Sequence, residues 1–167
     1  MHRYDIDPTR SRFVIEAASS LHPIVATAPP TGRLETDGDP TDPATWTAAS
    51  LDIVAGELRT GNPITDRETR RRVGADETIT ATLDRVVDVR DGGATLEGTI
   101  RFHGADVLVE GDVTVAESPA GVRICGRGSF DVRWWGMEPP KLLMLNVRPD
   151  VTVILDATFV DADQIST

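Results

Sequence analysis

The 167 residues, 40% hydrophobic and 26% charged, suit one folded domain spanning 1–167 and exclude a disordered chain. A formal net charge of -10 and a pI of about 4.7 exclude the basic footprint of a nucleic-acid binder and oppose adsorption to anionic membranes. Cys125 is the only cysteine, which rules out an intrachain disulfide and a cysteine-based zinc site.

The opening Met1-His2-Arg3-Tyr4-Asp5 does not read as a signal peptide, and no apolar run nears the ~20 residues of a membrane span, so the expected compartment is the cytoplasm. From there the dominant pattern is alternation with a period of two between short Gly, Pro and Asp punctuation, the mark of strands with one buried face. Phe13, Ile15 and Ala17 share one face, followed by extended segments at 24–28 and 31–36, and then Leu51, Ile53 and Ala55.

One segment breaks the alternation. Asn62 is a good N-cap, Pro63 suits the first helical position, and Gly74 suits the residue that ends a helix. Asp66 with Arg70 and Glu68 with Arg72 have helical i,i+4 spacing, and Arg70-Arg71-Arg72 falls in the last turn, where positive charge suits the helix dipole. These features predict a short inserted helix over 63–73. Its arginine run reads first as helix chemistry and only second as a phosphate site.

Alternation resumes with Ile79, Ala81 and Leu83, and shifts at Val86-Val87, where a bulge would restore the facing. Asp91-Gly92-Gly93 signals a tight hairpin before Leu96, Gly98, Ile100 and Phe102. His103-Gly104-Ala105 turns the chain into Val107, Val109, Gly111, Val113 and Val115. Pro119-Ala120-Gly121 leads to Val122, Ile124, Gly126, Gly128 and Phe130, and the last strand carries Val151, Val153, Leu155, Ala157 and Phe159 inward. The residues after Phe159 are expected to fray. The whole is an all-β chain of about eight strands, predicted to close into a single antiparallel, lipocalin-like barrel, which encloses either packed side chains or one small ligand.

Catalytic signals are sparse. His2, His22 and His103 have no metal-pair spacing, no Gly-x-Ser-x-Gly nucleophile motif occurs, and Gly126-x-Gly128 sits inside a strand rather than at a helix start. Asp66 and Asp131 fall near barrel rims, where acid–base work is open to them in principle, and the sequence gives no reason to prefer them. No metal or other cofactor is called for.

The small inward residues Ala17, Ala55, Ala81, Gly98, Gly111, Gly126, Gly128 and Ala157 carry more information. They either provide curvature or leave a hollow lumen, and an apolar void of that size is costly unless occupied. A second cluster, Trp134-Trp135-Gly136-Met137-Glu138-Pro139-Pro140 with Leu142-Leu143-Met144-Leu145, reads as a plug closing one barrel end, an apolar mouth, or a homodimer contact.

Tyr4-Asp5-Ile6-Asp7-Pro8, Ser11-x-Phe13-x-Ile15, Gly32-Arg33, Thr60-Gly61-Asn62 with Asp66-Arg67, Gly98-Thr99-Ile100 with His103-Gly104-Ala105-Asp106-Val107, Phe130-Asp131-Val132 with Gly136-Met137, and Asp150-Val151-Thr152-Val153 occur in that order over residues 4–159. Together they resemble the YceI-like family. The resemblance implies an extended lipocalin-like barrel whose apolar lumen holds a long isoprenoid or other lipid chain, often in a dimer, with no catalytic motif. The chain departs from the family pattern in lacking an export signal and in the short run Arg72-Val73-Gly74-Ala75-Asp76-Glu77 after the helix. It departs again at Trp134-Trp135 in the Arg-x-Asp-Phe-Gly region.

The expectation is a non-enzymatic protein that binds, transports or sequesters an apolar chain molecule, such as an isoprenoid or fatty acyl chain. Its expected lining is Phe13, Ile15, Ala17, Leu51, Ile53, Leu83, Leu96, Ile100, Phe102, Val122, Phe130, Val153 and Leu155, with Trp134, Trp135 and Met137 at the mouth. The alternatives are an interaction or dimerisation module with a filled core, which would have no continuous cavity, and an enzyme acting on a lipid-like substrate, which would place a carboxylate of raised pKa in the lumen.

Overall fold

A computed structural model describes residues 1–74, 76–138, 141–142 and 145–165. The strands are β1 (His2–Ile6), β2 (Arg12–Ser19), β3 (Ile24–Ala28), β4 (Thr31–Thr36), β5 (Trp46–Val54), β6 (Thr78–Arg90), β7 (Gly93–Phe102), β8 (Ala105–Ser118), β9 (Gly121–Asp131), β10 (Lys141–Leu142) and β11 (Leu145–Asp161). All pairings are antiparallel, and β1 closes the barrel by pairing with both β4 and β11.

Ten of these strands make eight staves because two staves are broken, and β10 pairs with β11 off the barrel path. Pro8 interrupts the first: Asp7 caps a short 3-10 turn over Pro8–Arg10, accepting from Thr9 N at 3.0 Å, and the chain resumes as β2. Both pieces lie along one edge of β11, β1 opposite 159–161 and β2 opposite 147–156. Pro29 and Pro30 break the second stave between β3 and β4, since proline cannot donate to a ladder.

Two-residue turns join the long strands. Asp91-Gly92 links β6 to β7 with Gly92 at φ 75°, and His103-Gly104 links β7 to β8 with φ of 52° and 71°, the left-handed backbone that matches strand twist in a tight hairpin. The shift expected at Val86-Val87 is present as irregularities between Leu83 and Arg85 and between Val86 and Asp88.

Helix α1 (Pro63–Val73) starts at Asn62, whose side chain accepts from Ile64 N and Thr65 N, and ends at Gly74 with φ 89°. Arg70 Nε donates to Asp66 O at 3.2 Å, and Arg71 pairs with Glu68 at 3.6 Å, so those two arginines serve the helix. The Arg72 side chain, like Ala75, lies outside the described residues. No helix among the described residues is long and apolar enough to cross a membrane.

The expected fraying after Phe159 does not occur over the next residues. Val160 is buried and pairs with both Asp5 and Gly121, Asp161 pairs with Tyr4, and 162–165 form a short helix, α2. The cause is long-range: β11 outlasts its apolar alternation because β1 supplies a partner.

Buried clusters close both ends. At the end with the β6–β7 and β8–β9 turns, Ile6, Leu34, Trp46, Val122, Ile124, Ala157 and Phe159 pack together, and Trp46 Nε1 donates to Pro40 O at 2.9 Å, tying down the loop before β5. At the helix end Ala55, Phe102 and Trp135 pack with Phe130, Met137, Val107 and Val109. Phe13, Ala26, Ala28, Ile53 and Leu58 line the wall between.

Among the described residues the hydrogen-bond ladder around the barrel has three long interruptions, besides the irregularity between Val147 and Val151 opposite β2. β5 and β6 pair only over 50–54 and 78–82, although β6 runs on to Arg90. β3 meets the segment after β5 only at the Thr27–Arg59 bridge. β8 and β9 pair from Asp112–Arg127 to Ser118–Gly121, although β8 begins at Ala105 and β9 continues to Asp131.

Candidate ligand-binding cavity

The inward faces of β5 to β9, β11 and β2 surround a cavity of about 320 Å³ with an almost wholly apolar wall. Phe13, Ile15, Leu51, Ile53, Leu83, Leu96, Ile100, Phe102, Phe130, Trp135, Val153 and Leu155 all line it. Leu51, Leu83, Leu96, Ile100, Val153 and Leu155 are only partly buried: each packs against a buried cluster and also faces the cavity.

Four residues expected at the site lie elsewhere. Ala17 stands opposite Ile24 and Val151 near the end of β2, where its methyl does not reach the lumen. Val122 is fully buried in the end cluster opposite Phe159, on the right face but beyond the lumen. The tryptophan pair is divided: Trp135 is 7% exposed and plugs the helix end, whereas Trp134 is 54% exposed outside it. Met137 packs against the plug from above. Pro139-Pro140 and Leu143-Met144, also part of the apolar cluster noted in the sequence, lie outside the described residues.

Trp135 is held by several contacts. Its Nε1 donates to Ile100 O at 2.9 Å, its ring meets Phe130 edge-on at 6.3 Å, and it forms the buried cluster with Ala55 and Phe102. Asp131 caps the turn that carries it, accepting from Arg133 N at 2.9 Å.

The lining also includes Leu34, Trp46, Ala49, Ile79, Ala81, Val109, Val113, Ile124, Val132, Val151 and Phe159. Most share the alternating faces read from sequence. Leu34 and Trp46 do not stand out there, since Leu34 is a lone apolar residue between Arg33 and Glu35 and Trp46 follows a loop rich in Pro, Asp and Thr.

The inward glycines serve different ends. A Cβ on Gly98 would lie 2.6 Å from Thr82 O, so glycine there permits the close strand approach beside the β6 irregularity. A Cβ on Gly128 would lie 2.7 Å from Phe130 Cζ, so that ring rests on the bare backbone. A Cβ on Gly111 would meet nothing nearer than Arg127 O at 3.9 Å. Curvature explains the first, a side chain folded over the wall the second, and open space the third.

Ion pairs link neighbouring strands on the outer register. Arg123 binds Asp156 at 2.6 Å, Arg101 binds Asp106 at 2.7 Å and Arg85 binds Glu97 at 3.3 Å across neighbouring strands. The Cys125 thiol is pushed up, first by burial and then by the neighbouring Asp156 carboxylate, which makes it a poor nucleophile.

The two carboxylates singled out for acid–base work are engaged elsewhere. Burial pushes the Asp66 carboxyl up, but hydrogen bonds from Thr60 Oγ1 at 2.7 Å and Thr60 N at 2.6 Å, with Arg59 and Arg70 nearby, bring it below the ordinary range. Arg133 holds Asp131 low through a two-pronged pair. Neither lines the cavity.

No family model matches the chain, and no curated protein matches it in sequence. Solved structures do match in fold. BcnA of Burkholderia cenocepacia superposes with a TM-score of 0.76 at 12% identity, over 91% of this chain and 98% of that one. A polyisoprenoid-binding domain from Saccharophagus degradans gives 0.72 at 16% identity, over 96% and 99%. The YceI protein of Campylobacter jejuni gives 0.58 at 12% identity, over 78% and 80%. The chain therefore has the fold of the YceI-like barrels.

Proposed function

We propose that the protein binds an apolar chain molecule in the barrel lumen, carrying or sequestering it without chemical change. The observation that carries the reading is the cavity itself: about 320 Å³, walled by aliphatic and aromatic side chains and closed at both ends by buried clusters. A filled-core interaction module would have no such space. The Saccharophagus degradans domain with the same fold is described as polyisoprenoid-binding, which supports an apolar occupant.

Volume sets the size of that occupant. An apolar cavity of about 150 Å³ holds one benzene, so this lumen suits about a dozen carbons, a medium acyl chain or two to three isoprene units rather than a long polyprenyl tail. At about 0.8 kcal/mol per methylene, burying such a chain gains about 10 kcal/mol. Lost translational and rotational freedom offsets at least about 4 kcal/mol of this, leaving a dissociation constant in roughly the tens of micromolar.

Native mass spectrometry against saturated fatty acids and prenols of graded length tests the reading. A one-to-one complex that is strongest near twelve to fifteen carbons is expected. A protein that stays ligand-free across the whole panel, and yields no lipid on organic extraction, would overturn it. The same spectra read the monomer or homodimer state that the sequence left open.

A further inference from the structure

We infer that the lumen is loaded through the barrel wall, at the seam between β8 and β9, and not through either end. The inference rests on the carrier reading above and concerns how a chain molecule reaches that cavity. Both ends are sealed by side chains that are almost fully buried, Trp46 with Val122 and Phe159 at one and Trp135 with Phe102 at the other. A ligand entering at either end would have to displace one of these plugs. The cavity is nevertheless not fully enclosed and opens to solvent over part of its boundary.

Two of the three ladder interruptions are covered. The 3-10 turn at Pro43–Thr45 packs on β6 beside the β5–β6 gap. Leu58, 4% exposed, fills the space where Arg59 bridges to β3. The third is covered only in part, by the Val132–Trp135 turn that packs on β8 at its helix end. Past the Asp112–Arg127 pair β8 and β9 separate, and the two residues at that point, Gly111 and Gly128, carry no side chain to span the gap. The space a Cβ would occupy on Gly111 is empty to 3.9 Å.

The lining here takes in Glu110, Asp112 and Arg127 from the outward register, beside Glu97 and Thr99 on the neighbouring β7. A polar lip suits a chain molecule whose tail lies inside and whose head group stays in water. Phe130 is the gate. Its ring lies on Gly128 at the edge of the helix-end cluster, is only partly buried, and touches Trp135 edge-on. Rotation of this one side chain widens the seam while Trp135 keeps its hydrogen bond to Ile100 O and its packing on Ala55 and Phe102.

A reversible staple tests this. Continued past Asp112–Arg127, the register sets Glu110 opposite Ser129, so Glu110→Cys with Ser129→Cys, in a Cys125→Ser background, places a disulfide across the seam. Stopped-flow fluorescence with dansyl-undecanoic acid compares the oxidised and reduced forms of the same protein. Oxidation is expected to slow both association and dissociation at least tenfold, and reduction to restore both. Should the staple not form, Gly111→Leu puts a branched side chain into the open space and is expected to slow association tenfold, whereas Gly111→Ala is expected to slow it less. If the wild-type protein binds the probe and stapling and Gly111→Leu both leave the rates unchanged, loading through the seam is overturned while the carrier reading stands. A wild-type protein that does not bind the probe at all overturns both.

Discussion

Replacing Ala81 by tryptophan is expected to weaken ligand binding at least a hundredfold while leaving the barrel folded. Ala81 sits mid-wall on β6, opposite Leu51 on one side and Ile100 on the other, with its methyl facing the lumen. An indole is larger than the benzene that fills a cavity of about 150 Å³, so it takes at least half of the roughly 320 Å³ present. A hundredfold loss corresponds to about 2.8 kcal/mol, which is the apolar transfer energy of only three or four methylenes at about 0.8 kcal/mol each. Because the new ring enters empty space rather than a packed core, overpacking strain is avoided and added dispersion contacts stabilise the fold. Fluorescence titration reads the affinity and thermal melting the stability. Binding that survives in a folded Ala81→Trp protein would place the ligand outside the lumen.

The largest stability effect is expected at Trp135. Trp135→Ala removes the plug at the helix end, the hydrogen bond to Ile100 O and the edge-on contact with Phe130, and a large aromatic deletion of this kind costs about 3–5 kcal/mol. Trp135→Phe keeps most of the packing and loses the hydrogen bond, for about 1–2 kcal/mol. The neighbouring Trp134, more than half exposed at 54%, is expected to cost within about 0.5 kcal/mol when replaced by alanine. Urea denaturation of the three variants separates these values. Equal losses at the two tryptophans would contradict the division of the pair into plug and surface.

That division shows what alternation can and cannot reveal. A period of two identifies the face of a strand, which is why Leu96, Ile100 and Phe102 on β7 and Val153 and Leu155 on β11 were legible as lumen residues. It says nothing of height along the barrel axis. Val122 and Ile124 share a face, yet only Ile124 reaches the cavity. Helix α1 was legible from local chemistry at both ends, because Asn62 and Gly74 act on their immediate neighbours. Trp46 and Leu34 were missed because nothing adjacent in sequence marks them as inward. Their position depends on β1 and β4 closing the barrel. The ladder breaks were also illegible, since where β8 leaves β9 is decided by how far each strand tilts around a closed sheet, not by the residues at the gap alone. Gly111 and Gly128 signalled either curvature or hollowness, and only the space around each one tells which.

The central claim, an apolar chain held inside the barrel, is tested most directly by methyl NMR of the Ile, Leu and Val side chains during titration with lauric acid. Shifts confined to lumen residues such as Leu51, Leu83, Leu96, Ile100, Val153 and Leu155, with Val25, Val54 and Leu108 on the outer surface unmoved, are the predicted result. Shifts on the outer residues alone, or none anywhere at saturating ligand, would contradict it.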